Sequence, residues 1–349
     1  MPSSFARSHG CRETLPQGGE RWNAVNAPDI RARSRFTGCL LGLAVGDAVG
    51  TTVEFKPRGS FPEVRDMVGG GPFGLEPGQW TDDTSMALCL ATSLVERGGF
   101  DARDQMERYL RWRTEGYLSS TGTCFDIGTT VGAALDRFRQ TGDPVAGSTH
   151  PKAAGNGSIM RLAPVVLRYF PDRGAVEHFA AESSRTTHGA AECIDACRLL
   201  ARVLCRALEG EPKEEVLMAD RGAFPASDAA SRAASDPAPD PASEAPSGAI
   251  AALADGSYRG KPRQEIRGSG YVVESLEAAL WCFDQAESFE EAILLAANLG
   301  DDADTTAAVT GQIAGAFHGE EGIPRHWLDR LFLRDEIAAL ADRLCRAEG

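Results

Sequence analysis

The chain has 349 residues, enough for two domains or one large one, and 42% of them are hydrophobic, enough to build a sizeable core. Its formal net charge of −14 disfavours a nucleic-acid partner, whose binding is driven by clustered Lys and Arg, yet leaves room for cations and for a small anion in a local field. No run approaches the roughly 18 apolar residues of a membrane span, the start carries no apolar signal core, and nine cysteines in no framework spacing fit buried thiols in a reducing, cytoplasmic compartment.

Taken in order, residues 1–34 are polar and aperiodic and are expected to form a flexible extension. From Arg35 the pattern turns helical. In GCLLGLAVGDAVG the glycines Gly38, Gly42, Gly46 and Gly50 recur every four residues and share one helix face. Glycine costs a helix roughly 1 kcal/mol each against alanine, so four of them predict close approach by another backbone. The amphipathic stretches TSMALCLATSLVERGG, DARDQMERYLRWRTEG and IGTTVGAALDRFRQTG each end in a glycine stop. AAECIDACRLLARVLCRALEG reads as a long helix with Cys193 and Cys197 as buried thiols on one face.

The stretch 226–248 is Ala-, Pro-, Ser- and Asp-rich, has no aromatics and cannot bury enough apolar surface to order itself. It centres a flexible insertion expected over about 211–265, inside a single domain of residues 35–349. VVESLEAALWCFDQA and FEEAILLAANLG follow as helices, and from Thr305 a second stripe repeats the small-residue spacing at Ala307, Gly311, Gly315 and Gly319. Period-2 alternation is scarce. The predicted class is all-α, a compact multi-helix bundle.

Two acidic motifs stand apart. W-T-D-D-T (Trp80–Thr84) and G-D-D-A-D-T-T (Gly300–Thr306) both open apolar helices. One Asp at a helix start is an ordinary cap, but two adjacent or three within four residues repel one another, and a cation relieves the repulsion. Brought together, the motifs would offer Thr81, Asp82, Asp83, Asp302, Asp304 and Thr305. An oxygen-only set predicts Mg²⁺ or Mn²⁺, not zinc, and so many carboxylates predict two ions. The insertion lies between the two motifs, so it cannot be a domain boundary.

G-D-A-V-G (Gly46–Gly50), W-T-D-D-T, G-N-G-S-I-M-R (Gly155–Arg161), G-Y-V-V-E-S-L-E-A-A-L-W (Gly270–Trp281) and G-D-D-A-D-T-T occur in that order. Together they resemble the ADP-ribosylglycohydrolase family over about residues 35–322. The resemblance implies an all-α fold, a binuclear magnesium or manganese centre on the six residues above, and removal of ADP-ribose from a modified protein side chain, with arginine the expected linkage. It also implies that Glu54 lies near the scissile bond and Asp126, in CFDIGTT, beside the ribose. Thr129 departs from the Asn often found there. Asp301 stands where the family often has Gly and is left out of the site. Gly155, Asn156, Gly157 and Ser158 match a phosphate cradle, where glycines let backbone N–H groups approach a diphosphate, and His188 and Tyr271 match residues lining ribose and adenine.

The expected reaction cleaves a bond at C1″ through oxocarbenium-like charge. Asp83 and Asp302 orient metal and water, and Glu54 or Asp126 is the non-ligand base. Three alternatives stay open at this level: hydrolysis of ADP-ribosyl-serine or another O-linked ADP-ribose, a binding protein that neutralises an ADP-ribosylating toxin, and a two-metal nucleotide phosphohydrolase.

Overall fold

The computed structural model describes residues 30–218 and 248–346. Fourteen α-helices occur among them: α1 (Ile30–Gly50), α2 (Asp82–Glu96), α3 (Ala102–Glu115), α4 (Thr129–Thr141), α5 (Ala163–Tyr169), α6 (Arg173–Arg185), α7 (Ala191–Glu209), α8 (Lys213–Val216), α9 (Gly248–Ala254), α10 (Val272–Gln285), α11 (Phe289–Ala297), α12 (Ala303–His318), α13 (Arg325–Leu328) and α14 (Arg334–Arg346). The described residues contain no β-strand, only three isolated bridges, so the all-α expectation holds.

The two small-residue stripes are each other's partner. A Cβ placed on Gly42 would stand 2.2 Å from the Gly311 carbonyl oxygen, and one on Gly311 would stand 2.0 Å from that of Gly42. The same near-contacts pair Gly38 with Gly315, Gly46 with Ala307 and Gly50 with Ala303. Residue numbers rise on α1 as they fall on α12, so the helices run antiparallel with their backbones in contact. Four glycine penalties in α1 are thereby offset by dispersion and Cα–H···O contact along the whole seam.

The remaining helices wrap this pair. Trp80, Trp112 and Trp327 are fully buried among them. Local signals end the helices as read: α3 starts on Asp101, whose carboxylate accepts from the Asp104 N–H, and α3, α4 and α7 stop at left-handed Gly116, Gly142 and Gly210. All eight cysteines among the described residues are free, and Cys193 and Cys197 are buried.

Two expectations need adjustment. The stretch Arg31–Val53 is long and apolar enough to cross a membrane, with mean hydropathy 1.4 over 18 residues, but 94% of that window is buried inside the fold; its apolarity serves the core. Of the insertion expected over 211–265, residues 219–247 lie outside the described residues, as do 1–29 of the expected extension. The flanks of the insertion belong to the fold: α8 and α9 form there, and Val216, Leu217, Ile250, Leu253 and Tyr258 are buried. Those apolar anchors fall just outside the Ala-, Pro- and Ser-rich segment.

The seam predicts opposite signs for one substitution at two sites. Gly132→Ala, in α4, meets nothing within 4 Å and should stabilise by about 0.5–1 kcal/mol. Gly42→Ala gains the same propensity but drives a methyl into a carbonyl, and should lose about 1–3 kcal/mol or more. Urea unfolding of both variants checks this; equal shifts would refute the backbone contact.

Candidate metal centre and substrate cleft

The seam sets the C-terminus of α1 against the N-terminus of α12, and α2 starts at the same point. Asp47, one turn from the end of α1, ties them together. Its Oδ1 accepts from the Thr81 N–H and hydroxyl, both at 2.9 Å, and its Oδ2 accepts from the Thr84 N–H at 3.0 Å and hydroxyl at 2.6 Å. The side chain of Thr81, the N-cap residue of α2, makes no cap bond of its own; Asp47 caps the helix from another element. Burial pushes the Asp47 carboxyl up to about 6, and its four donors oppose the rise.

Two carboxylate triplets form beside it, each with oxygens within 4.8 Å of one another: Asp47, Asp83 and Asp304, and Glu54, Asp126 and Asp304. Asp304 belongs to both. With its one proton directed to Asp47, the Thr81 hydroxyl oxygen also lies 3.1 Å from a carboxylate oxygen of Asp83 and from one of Asp304, and the Thr305 hydroxyl reaches Asp83 at 3.3 Å. Asp82 and Asp302 stand at the same helix starts but belong to neither triplet. Asp302 accepts from Asn156 Nδ2 at 2.8 Å, which ties the Gly155–Ser158 turn to the acidic centre.

These acids are not at ease. Burial, then the charges of Asp126, Asp302, Asp83 and Asp47, pushes the Glu54 carboxyl up to about 10. Burial with neighbouring carboxylates carries Asp126 to about 7 and Asp82, Asp83 and Asp304 well above their ordinary range. Buried Glu54 Oε2, Asp83 Oδ1 and Asp304 Oδ1 have no hydrogen-bond partner. An unpaired buried acceptor is costly, and a hard divalent cation is the group that satisfies several at once. Asp47, with all its donors protein-borne, acts by positioning despite its place in a triplet. The residues present fit a cation on the Asp83, Asp304 and Glu54 side.

The cleft residues divide. Tyr271 is 39% exposed and pairs through a backbone bridge with Gly155, so it lies at the surface of the cleft, outside the core. His188 is buried, and its Nδ1 lies 2.8 Å from the Thr187 hydroxyl. Burial first, then the charge of Arg161, lowers its pKa to about 3, so the ring is neutral. It packs under the turn: a Cβ on Gly157 would meet its Cε1 at 2.8 Å. In the turn itself, the Gly155 and Asn156 N–H groups are taken by the Ala153 and Gly270 carbonyls at 2.9 and 3.1 Å, whereas Gly157 and Ser158 have no backbone acceptor among the described residues.

Sequence reasoning missed Asp47, although the motif containing it was in view; its signal was an acid inside an otherwise apolar, small-residue helix. It also missed Arg58. That guanidinium donates to the carbonyls of Leu299 at 3.1 Å, Arg263 at 2.5 Å, and Ile266, and so fixes the loop that delivers Asp302.

The fold and centre define a class: an all-helical protein whose oxygen-only, carboxylate-rich cleft is assembled from helix termini. Comparison with known proteins makes it specific. The signature of the ADP-ribosylglycohydrolase family spans residues 28–349, and the chain belongs to that family of metal-dependent glycosidic hydrolases. It is similar to the ADP-ribosylarginine hydrolase Tri1 of Serratia proteamaculans (strain 568), 40% identical over 344 residues, covering 95% of this chain and 87% of that one. It is 43% identical over 333 residues to the protein of the same name from Pseudomonas putida (strain GB-1), covering 94% and 83%. A solved structure titled ADP-ribosylglycohydrolase-related protein complex superposes with a TM-score of 0.76 at 45% identity, over 91% of this chain and 99% of that one.

Asp302→Asn and Asp304→Asn keep size and capping capacity but lose charge. Each should reduce turnover by about 10²- to 10³-fold or more in a protein with native circular dichroism. Asp301 is exposed and sits at φ 57, a conformation Asn also tolerates, so Asp301→Asn should leave turnover unchanged. An inactive Asp301→Asn beside an active Asp302→Asn would shift the register by one.

Proposed function

We propose that the chain hydrolyses the N-glycosidic bond between ADP-ribose and an arginine side chain of a modified protein, releasing ADP-ribose. The observation that carries this reading is the pair of triplets sharing Asp304, with three orphaned buried oxygens. The names of the relatives from Serratia proteamaculans and Pseudomonas putida support arginine as the linkage.

Thr81, Asp82, Asp83, Asp302, Asp304 and Thr305 hold two Mg²⁺ or Mn²⁺ in this reading. When bound, such ions bind sugar hydroxyls and acidify water. The protein does the rest. Asp47 and Arg58 fix the two helix starts. Asn156 holds Asp302 in place. Tyr271 and the Gly157–Ser158 N–H groups receive the ADP-ribose body, with neutral His188 supporting the turn from beneath. Glu54 and Asp126 lie where the C1″ bond is cleaved, and one of them takes the proton of the attacking water; Glu54→Gln and Asp126→Asn separate the two. The free cysteines among the described residues support a reducing, cytoplasmic setting. An ADP-ribosylated protein is the partner.

Incubation with ADP-ribosylarginine, ADP-ribosylserine and ADP-ribose, with and without Mg²⁺, tests the reading. Cleavage of the first, abolished by chelation, is expected. Cleavage only of the serine-linked compound makes this an O-linked hydrolase, attack on the diphosphate makes it a phosphohydrolase, and inactivity towards all three leaves binding of an ADP-ribosyltransferase toxin as its role.

Metal and stability should move together. A cation that binds only the folded state at a hundred times its Kd adds about 2.7 kcal/mol, so Tm should rise on titration with Mg²⁺ or Mn²⁺ and fall on chelation. A Tm indifferent to both would remove the cation from the site.

A further inference from the structure

The mechanism above leaves one feature of the cleft unused. Phe55 follows Glu54, and Phe125 precedes Asp126. Their rings are joined through Phe73: Phe55 and Phe73 lie 6.4 Å apart edge to face, and Phe73 and Phe125 lie 5.0 Å apart. The carboxyls of Glu54 and Asp126, one residue away on the same two segments, also meet within 4.8 Å. The two segments are therefore linked twice, by neighbouring carboxyls and by rings that meet through Phe73. Glu54 is 3% exposed, whereas Phe55 is 63% exposed and Phe73 and Phe125 are half-buried. Phe55 is the outermost group of the cluster.

Nothing in core packing explains Phe55. It is the most exposed large hydrophobic residue among those described, and its backbone sits at φ 61, where a bulky residue is an outlier. Two backbone bonds hold it there: the Phe55 N–H donates to the Asp301 carbonyl at 2.7 Å, and the Asp301 N–H to that of Lys56 at 2.9 Å. Strained backbone of this kind clusters at active sites and ligand clamps, and Phe55 stands beside the acidic centre.

We propose that the Phe55–Phe73–Phe125 cluster recognises the guanidinium leaving group of the arginine-linked substrate and sets the preference for that linkage. A substituted guanidinium is planar and cationic, stacks on aromatic faces, and is drawn by the neighbouring carboxylates. A serine hydroxyl offers neither the charge nor the plane. This inference rests on the arginine reading and adds residues that enforce it.

The test compares the wild type with Phe55→Leu, which keeps apolar bulk and removes the π face. For ADP-ribosylarginine, KM should rise about five- to thirtyfold, the range of a cation–π contact, with kcat little changed. Inhibition by free ADP-ribose should stay the same, because its ribosyl and adenosyl parts lie on the other side of the bond. L-arginine methyl ester should inhibit the wild type more strongly than the variant, and Phe55→Tyr should restore wild-type values. Phe73→Leu should act in the same direction. An unchanged KM in both Leu variants, or weaker inhibition by ADP-ribose in step with KM, overturns the proposal. A wild type that cleaves only O-linked ADP-ribose overturns the arginine reading and this inference together, and one that cleaves the arginine linkage with full activity in Phe55→Leu overturns this inference alone.

Discussion

Backbone contact between α1 and α12 is the constraint on which the rest depends. The seam fixes the height of one helix against the other, because a glycine or alanine stands at each crossing and larger side chains fill the turns between. A slip of one turn would move Asp304 by about 5.4 Å along the axis, beyond reach of Thr81 and Glu54. The seam also explains how Asp47, an acid buried in an apolar helix, finds four donors: Gly46 and Gly50 bring α1 close enough to the start of α12 that the start of α2 meets both. Packing by the smallest side chains thus places a cluster of buried carboxyls.

These carboxyls divide into one whose oxygens are all bonded within the protein and others that keep an unpaired oxygen. Asp47 is as deeply buried as Asp83, yet each of its oxygens accepts two protein donors, while Asp83, Asp304 and Glu54 each keep an oxygen with none. Helix N-termini at α2 and α12 favour the negative charge, but such a contribution is about 0.3–1 kcal/mol for an ordinary site and cannot offset several like charges within a few ångströms. A cation can, and under the proposed reading metal binding and folding stability are one equilibrium.

The all-α class, the glycine stripes and the acidic helix starts were legible because each is a periodic or local pattern. The sequence reading placed a backbone against Gly38–Gly50 and left the partner open; antiparallel register with α12 is a tertiary fact. Asp47 escaped notice because its donors, Thr81 and Thr84, are more than thirty residues away. Arg58 escaped for the same reason, since its carbonyl partners lie at 263, 266 and 299. The motif around His188 points to a cleft residue, and the structure puts it under the Gly155–Ser158 turn, where Gly157 is needed for the ring to approach. A motif reports that a residue belongs to a site without reporting at what depth.

Backbone strain completes the argument about how the cleft keeps its shape. Five non-glycine residues among those described have positive φ, and three of them, Phe55, Asp126 and Asp301, lie in the loops that carry Glu54, Asp126 and Asp302. Such conformations persist only where surroundings over-determine them. Here Phe55 and Asp301 hold each other through paired backbone bonds, Asp302 donates its N–H to the Gly268 carbonyl at 2.8 Å, and the Arg58 guanidinium closes the bundle of loops from the side. Asp301 itself suits the place, because Asp is among the few non-glycine residues that enter positive φ readily. The carboxylates therefore converge because protein bonds make them converge, and a divalent ion would enter a site already assembled against its own repulsion.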